Sequence, residues 1–150
     1  MKKVIIALII VASLFITTGC NDNNIEKSNT NEKVSDEKVK NIKLTINNKS
    51  YNLILEDNNT VIEFINLLPQ EYNMNELNGN EKYIYINSSL TTNSYNPKHI
   101  EKGDVMLYGD NCLVIFYKSF DTNYSYTKIG HIENLDDLGN GNIKAKFEKQ

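Results

Sequence analysis

Residues 103–117 place the strongest constraint on the fold of this chain. They form two apolar segments joined by Gly109-Asp110-Asn111, and glycine and asparagine tolerate the positive φ that a tight hairpin turn needs. The second segment, Cys112–Tyr117, is apolar at every position, whereas a half-exposed strand alternates apolar and polar residues. We therefore predict a β-hairpin whose second strand is covered on both faces.

Further strands are predicted on both sides of this hairpin. Residues 42–46 alternate apolar and polar side chains, and a turn at 47–49 leads into a returning strand at 50–55. The other strand signals, separated by polar turns and a polar loop at 87–102, lie at residues 72–76, 81–86, 124–132 and 141–148. Because turn signals recur every 8 to 12 residues or so, these segments are typical of an all-β domain.

One helix is predicted between these strands. Thr60 and Glu63 have the spacing of a capping box, and Pro69 ends the helix. An apolar stripe runs along one side of it, formed by Val61, Phe64, Ile65 and Leu68. We expect this helix to cover one open end or one face of the central strands. A second, short helical turn is expected at residues 134–138, where Glu133, Asp136 and Asp137 would form a charge cluster at the helix end.

Gly130 interrupts an otherwise bulky strand, between Ile129 and His131. Glycine inside a strand indicates a β-bulge or the close approach of another part of the chain, and barrels need such points to bend. We expect the strand at 124–132 to pass close to another element at Gly130. The alternative is an exposed glycine at a strand end.

About eight strands and one or two short helices fit into residues 42–148. Closing the sheet removes the exposed edges that an isolated sheet would have. We therefore predict an all-β, mainly β domain folded as a closed eight-stranded barrel.

Two features of the composition limit the function. All 16 residues counted as Lys+Arg are lysines, so no mechanism that needs a planar guanidinium is available. The isoelectric point is near 5.4 and there is no basic cluster, so nucleic acid is not an expected partner.

The amino-terminal residues indicate export. Lys2 and Lys3 precede an apolar core of thirteen residues, from Val4 to Ile16, in which Ser13 is the one polar residue, and a bilayer-spanning helix would need about 20. The segment Thr17–Cys20 resembles the bacterial lipobox, in which the signal peptide is cut before a cysteine that carries a lipid. We expect residues 1–19 to be a lipoprotein signal peptide and Cys20 to carry diacylglycerol and palmitate. The alternative is an ordinary secretory signal with a chance cysteine.

This anchor predicts the organisation of the chain. Residues 20–41 are rich in Asn, Lys, Glu, Asp and Ser and have no aromatic residue, so they are expected to be a flexible tether before a domain at 42–148. Removing residues 1–19 leaves 14 lysines against 19 acidic residues, a net charge of −5. The lipid, rather than charge, would hold the protein on the extracytoplasmic face of the cell membrane. Cys112 is left without a disulfide partner and is expected to be a small buried apolar residue.

The order of the elements resembles the small bacterial cyclophilin-like family over residues 42–148. The segments that show the resemblance are 77–82, 103–105, 113–117 and 129–132. It implies an eight-stranded barrel capped by short helices, in a family whose members generally have no settled biochemical role. Cyclophilin-type prolyl isomerases polarise the prolyl amide with an arginine, which this chain lacks, so the resemblance does not imply that activity.

A ligand pocket is predicted beside the loop that follows the central hairpin. Its expected residues are Glu81, Tyr117, Phe120, Tyr124, Tyr126 and His131. Alternatively, the aromatic residues pack in the barrel core and its loops, and Glu81 with Lys82 forms a surface ion pair on a solvated turn. His99 and His131 lack metal-ligand spacing, and neither a metal nor a cofactor is expected.

Two classes of function follow from these features. The first is a non-catalytic binding or accessory module on the membrane, whose ligand is an unknown small molecule or peptide. The second is an enzyme, either a degenerate peptidyl-prolyl isomerase or an unrelated activity that uses Glu81, Tyr117 or His131. We prefer the binding module, because the clear signals in the sequence are structural and no catalytic residues are identified.

Overall fold

The computed structural model describes residues 38–150. The predicted signal peptide, Cys20 and nearly all of the predicted tether lie outside them. One helix, α1, spans Asn59–Asn66. The strands are β1 (Asn41–Ile46), β2 (Lys49–Leu55), β3 (Gln70–Leu77), β4 (Glu81–Tyr85), β5 (His99–Ile100), β6 (Asp104–Tyr108), β7 (Cys112–Phe116), β8 (Phe120–Asp121), β9 (Thr127–Ile132) and β10 (Ile143–Lys149). No helix in this part of the chain has the length and hydrophobicity to cross a membrane.

Eight of the strands form a closed antiparallel barrel in the order β1-β10-β3-β4-β7-β6-β9-β2. Closure comes from β1, which pairs with β10 on one side and β2 on the other. The all-β, eight-stranded barrel that the sequence predicts is therefore confirmed. Strands β5 and β8 lie outside the barrel and pair with each other as a two-stranded sheet.

The central hairpin is formed by β6 and β7, and β7 is buried at every residue. Its side chains alternate between two apolar clusters. Leu113 and Ile115 belong to the larger cluster in the barrel interior, which we call the interior cluster. Cys112, Val114 and Phe116 belong to a second cluster on the outer surface of β4, β6 and β7, which we call the outer cluster. Coverage of this strand on both faces is thus confirmed.

The outer cluster is covered by loop segments rather than by the helix. Ile100 in β5 and Tyr126 are buried against β7, and Phe120 in β8 packs beside them. The rings of Phe116 and Tyr126 meet edge to face, with centroids 5.5 Å apart. The polar loop at 87–102 and the segment that follows β7 therefore complete a second, smaller core outside the barrel.

The helix begins differently from the prediction. Asn58 is the capping residue, because its side-chain oxygen accepts a hydrogen bond from the backbone N–H of Val61 at 2.9 Å. The proposed capping box of Thr60 and Glu63 is wrong, since both side chains bond to Thr91 instead. The Asn58 amide also donates to the carbonyl of Lys128, which ties the start of α1 to β9.

Helix α1 lies across one end of the barrel. Phe64 is fully buried in the interior cluster and meets the ring of Phe147 edge to face at 5.5 Å. The inside of a closed barrel can be reached only through its ends, and Phe147 pairs with Gln70 at the start of β3. The predicted cover is therefore present at the Gln70 end of the barrel.

The short helix predicted at 134–138 does not form. Asn134 has a φ of 55°, in the left-handed region, which a right-handed helix cannot continue through. Leu135 is instead buried in the interior cluster. The side chain of Asp136 accepts hydrogen bonds from Lys49 and Tyr51 of β2. The acidic residues here are therefore not a cluster at a helix end.

Gly130 lies in β9, at a point where the strand pairs with β2 on one side and with β6 on the other. A Cβ atom built on Gly130 would stand 2.1 Å from the carbonyl oxygen of Ile54, closer than any side chain permits. The register of β6 against β9 also shifts here, since Val105 faces Gly130 and Met106 faces Lys128, so that Ile129 bulges out. Both the bulge and the close approach expected at this glycine are present.

Candidate functional site

A cavity on the described part of the chain lies on the outer surface of the barrel rather than at either of its ends. Its volume is about 300 Å³. Strands β4, β6 and β7 form its base, and the turn after β3 and the segment before β9 form its rim. The lining residues are Leu77, Asn78, Glu81, Tyr83, Tyr85, Tyr108, Cys112, Val114, Tyr124 and Tyr126. We call this cavity the tyrosine pocket.

Two groups of tyrosines form the walls. Tyr83 and Tyr85 project from the same side of β4, and their rings meet edge to face at 6.0 Å. On the opposite wall, Tyr108 lies 6.0 Å from Tyr124 and 5.6 Å from Tyr126 between ring centroids. Tyr126 is buried in the outer cluster, but Tyr124 is 63 % exposed. The pocket is therefore bounded by rings that are partly held in the core and partly free in solvent.

The floor of the pocket is the buried outer side of β7. Val114 and Cys112 both belong to the outer cluster, and Cys112 is a free cysteine. Burial raises the pKa of its thiol, and the negative charge of Glu81 raises it further. A thiol with a raised pKa is a poor nucleophile, so Cys112 acts as the small apolar residue that the sequence predicts.

Glu81, the first residue of β4, is the one charged residue in the lining. Its side chain is half-buried, and among residues 38–150 it has neither an ion pair nor a hydrogen-bond partner. Burial raises the pKa of the Glu81 carboxyl, and the nearby charge of Glu76 raises it further. The pocket thus contains a carboxyl group whose ionised form lacks a partner.

Lys82 lies on the other side of the same strand and does not belong to a solvated turn. Successive strand residues point to opposite faces, so the residue after Glu81 points into the barrel, and its side chain is fully buried. The ammonium donates hydrogen bonds to the Glu76 carboxylate and to the carbonyls of Gly139 at 2.5 Å and Gly141 at 2.7 Å. The alternative interpretation, a surface ion pair between Glu81 and Lys82, is therefore wrong.

Tyr117 belongs to this interior group as well. Its hydroxyl donates to Glu76 Oε2 at 2.9 Å, and its ring is part of the interior cluster. Burial, with a smaller contribution from Glu76, raises the pKa of Tyr117 to about 12. Burial alone would raise the pKa of Glu76, but the hydrogen bonds from Lys82, Tyr117 and the Gly79 N–H outweigh it and hold the pKa below its ordinary value. This network closes the barrel at the Leu77 end of β3, opposite to α1.

The structure brings together only some of the predicted site residues. Glu81, Tyr124 and Tyr126 line the tyrosine pocket. Tyr117 faces the barrel interior, and Phe120 packs against Phe116 at 5.6 Å without lining the cavity. Three of the lining tyrosines were not singled out from the sequence, namely Tyr83, Tyr85 and Tyr108. The alternation of β4 indicates that Tyr83 and Tyr85 share a face, but not what lies opposite.

His131 lies apart from the pocket, in a different polar group. Its Nδ1 is 3.0 Å from a carboxylate oxygen of Asp104, which is itself almost fully buried in β6. Lys128 contacts the same oxygen at 3.2 Å, and the backbone N–H of Glu101 donates to the other oxygen. These contacts join β6 to β9. In residues 38–150 no group of three or more His, Cys, Asp or Glu side chains is placed to hold a metal ion.

Comparison with known proteins gives one match. The model of the cyclophilin-like family matches residues 44–148, which includes at least part of every strand of the barrel. Searches of curated proteins and of solved structures give no significant match. The matched region covers more than half of the chain and agrees with the closed eight-stranded barrel. This chain therefore belongs to the cyclophilin-like family.

Proposed function

We propose that this protein is a non-catalytic binding module, held on the extracytoplasmic face of the cell membrane by a lipid on Cys20, and that its ligand occupies the tyrosine pocket. One observation supports the binding role above the others. Tyr85, Tyr108 and Tyr124 are exposed around a cavity of about 300 Å³ whose floor is apolar. A concave apolar site with a few polar groups is typical of small-ligand binding.

The composition supports a role other than prolyl isomerisation. The chain has no arginine, which is the group that cyclophilin-type isomerases use to polarise the prolyl amide. Lys82 does not replace it, because its ammonium lies inside the barrel and its hydrogen bonds are taken by Glu76, Gly139 and Gly141. The family membership thus supports the barrel without supporting the isomerase activity.

An enzyme is the second candidate, and the raised pKa of Glu81 favours it. A half-buried carboxyl in a cleft is a group of the kind that general acids use. However, the lining offers no histidine, lysine or reactive thiol to act with it. We therefore place binding before catalysis.

Two measurements test this function. The chain is expected to leave the rate of prolyl isomerisation in a proline-containing peptide at its uncatalysed value. In an NMR screen against small fragments, the compounds that bind are expected to shift the signals of Tyr85, Tyr108 and Tyr124, and to lose binding in Tyr124→Ala. Measurable turnover of the peptide would favour the enzyme. Fragments that bind elsewhere on the domain would contradict the assignment of the ligand site to the tyrosine pocket.

A further inference from the structure

We propose that the tyrosine pocket binds a small organic cation, a substituted ammonium ion, held between the tyrosine ring faces and the Glu81 carboxylate. This inference rests on the proposed binding function and names the chemical class of its ligand. It depends on three observations: the arrangement of the rings, the single charge in the lining, and the placement of the chain's own lysines.

The rings offer faces in more than one direction. Tyr83 and Tyr85 are inclined at 84° to each other, and Tyr108 and Tyr124 at 88°. Because the two rings of each pair are nearly perpendicular, their faces point in different directions around the cavity. The face of an aromatic ring is negative and attracts a cation, most strongly when the cation has shed its water. Five of the nine tyrosines in the chain border this one cavity.

The charge of the lining has one sign. Glu81 is its one charged residue, and none of the 12 lysines among residues 38–150 borders the cavity. An anion would find no positive group there. A neutral apolar ligand would cover the Glu81 carboxyl without giving it a partner, which is costly. A cation supplies the partner that the carboxylate lacks within the described residues.

The lysines of the chain show that its tyrosine rings accept ammonium groups, but not in the pocket. In residues 38–150, lysine ammonium groups lie over the rings of Tyr51 and Tyr117, at 5.3 Å for Lys49 and 4.5 Å for Lys82. A third, from Lys118, lies 5.5 Å from the centroid of Tyr117. None lies over a ring that lines the pocket. The pocket rings are therefore available to a cation from outside the chain.

The test compares choline with the neutral alcohol in which a carbon atom replaces its nitrogen. The two compounds have the same shape and differ in charge. Each is titrated into the full chain in a neutral detergent and followed by calorimetry and by tyrosine fluorescence, which is not masked because the chain has no tryptophan. We expect choline to bind at least about tenfold more tightly than the alcohol.

Variants assign this preference to the pocket. Glu81→Gln should weaken choline binding by about tenfold and leave the alcohol unchanged, since only the charge is removed. Glu133→Gln, at an exposed site outside the lining, also removes one negative charge and should change the binding of neither compound. Tyr124→Leu should weaken choline binding, while Tyr124→Phe should retain it because the aromatic ring remains.

The outcomes separate this inference from the proposed function. If the two compounds bind equally tightly and Tyr124→Leu abolishes the binding of both, the ligand need not be a cation. That result would overturn the inference and leave the tyrosine pocket as a site for apolar ligands. Tight choline binding that Glu81→Gln and Tyr124→Leu do not change would place the cation elsewhere and overturn the inference. If neither compound binds, the proposal of a cationic ligand is again rejected. The NMR fragment screen then decides separately whether the pocket binds ligands.

Discussion

The ammonium of Lys82 lies 4.5 Å from the centroid of the Tyr117 ring, inside the barrel and out of contact with water. Its hydrogen bonds reach Glu76 on the neighbouring strand and two carbonyls of the loop before β10. A buried lysine is tolerated only when its charge is paired and its donors are satisfied. These contacts therefore fix the loop at 139–141 against the end of the barrel.

Lys82→Met is expected to destabilise the domain by about 3 to 5 kcal/mol, measured by urea unfolding at neutral pH. The variant leaves Glu76 as a mostly buried carboxylate without its cation. Replacing both partners by apolar residues, in Lys82→Met with Glu76→Leu, should cost less than the sum of the single changes. If the cost of the double variant equals the sum of the costs of the two single variants, Lys82 and Glu76 do not stabilise each other as an ion pair.

The same pair predicts a pH dependence. The folded-state pKa of Glu76 lies below its ordinary value of 4.5, so its contribution to stability is present above that value. This contribution is lost as the pH falls through the lowered pKa. In Lys82→Met the unpaired carboxylate should instead take up a proton more easily. The difference in unfolding free energy between the parent and the variant should therefore narrow in acid, and a constant difference would contradict this assignment.

Phe64→Ala should cost about 3 to 5 kcal/mol of unfolding free energy, because it removes a fully buried ring that packs on Phe147. Ile62→Ala is the matched control on the same helix, since Ile62 is 53 % exposed. Its stability should change little. Similar melting temperatures for the two variants would show that α1 does not cover the barrel end.

Gly130→Val should destabilise the domain by at least about 1 to 3 kcal/mol, because the added Cβ would meet the carbonyl oxygen of Ile54 and force β2 and β9 apart. Gly141→Ala is the control, since a Cβ there meets no atom within 4 Å and the backbone has no positive φ. Urea unfolding of both variants checks this. A stable Gly130→Val protein would argue against the close approach.

Glu81→Gln should stabilise the domain at neutral pH and not in acid. The folded-state pKa of Glu81 is raised above its ordinary value of 4.5, so the folded chain binds more protons than the unfolded chain between the two values. Stability therefore falls as the pH rises through this window, and glutamine removes that loss. Thermal unfolding at both pH values measures the effect, with Glu133→Gln as the control. A gain of the same size in acid would contradict the raised pKa.

Cys20→Ala is expected to abolish labelling by palmitate and to prevent cleavage of the signal peptide or release the protein from membranes. Cys112→Ser, which changes the other cysteine, should leave the labelling intact. Metabolic labelling and membrane fractionation measure both. Unchanged labelling of Cys20→Ala would contradict the lipid anchor.

The barrel could be predicted because its signals are local. The alternation in β1 and the fully apolar sequence of β7 each indicate how a strand is buried, and together with the turn signals they favour a closed sheet. Gly130 was informative for the same reason, since a glycine among bulky strand residues has few explanations.

The site could be predicted only in part, because it is assembled from distant segments. The alternation of β4 places Glu81 and Lys82 on opposite faces, but the partners of Lys82 lie in β3 and in the loop before β10. Sequence spacing does not show these contacts, so the two residues looked like one surface pair. Tyr108 and Tyr124 likewise meet only because the segment after β7 folds back over the outer surface of the barrel.

The helix cap was mistaken for a related reason. Asn58 and Thr60 are both residue types that cap helices, and local sequence does not choose between them. The choice depends on Thr91, whose backbone and hydroxyl engage Thr60 and Glu63, and on the carbonyl of Lys128, which engages Asn58.

The position of β10 between β1 and β3 governs how this domain can be made. Until residues 143–149 have left the ribosome, β1 and β3 have no neighbour on one side, and both keep a row of unsatisfied backbone groups. The barrel therefore cannot close before β10 is available. The chain would stay open until β10 arrives, and a truncation before β10 should aggregate rather than give a smaller stable fold.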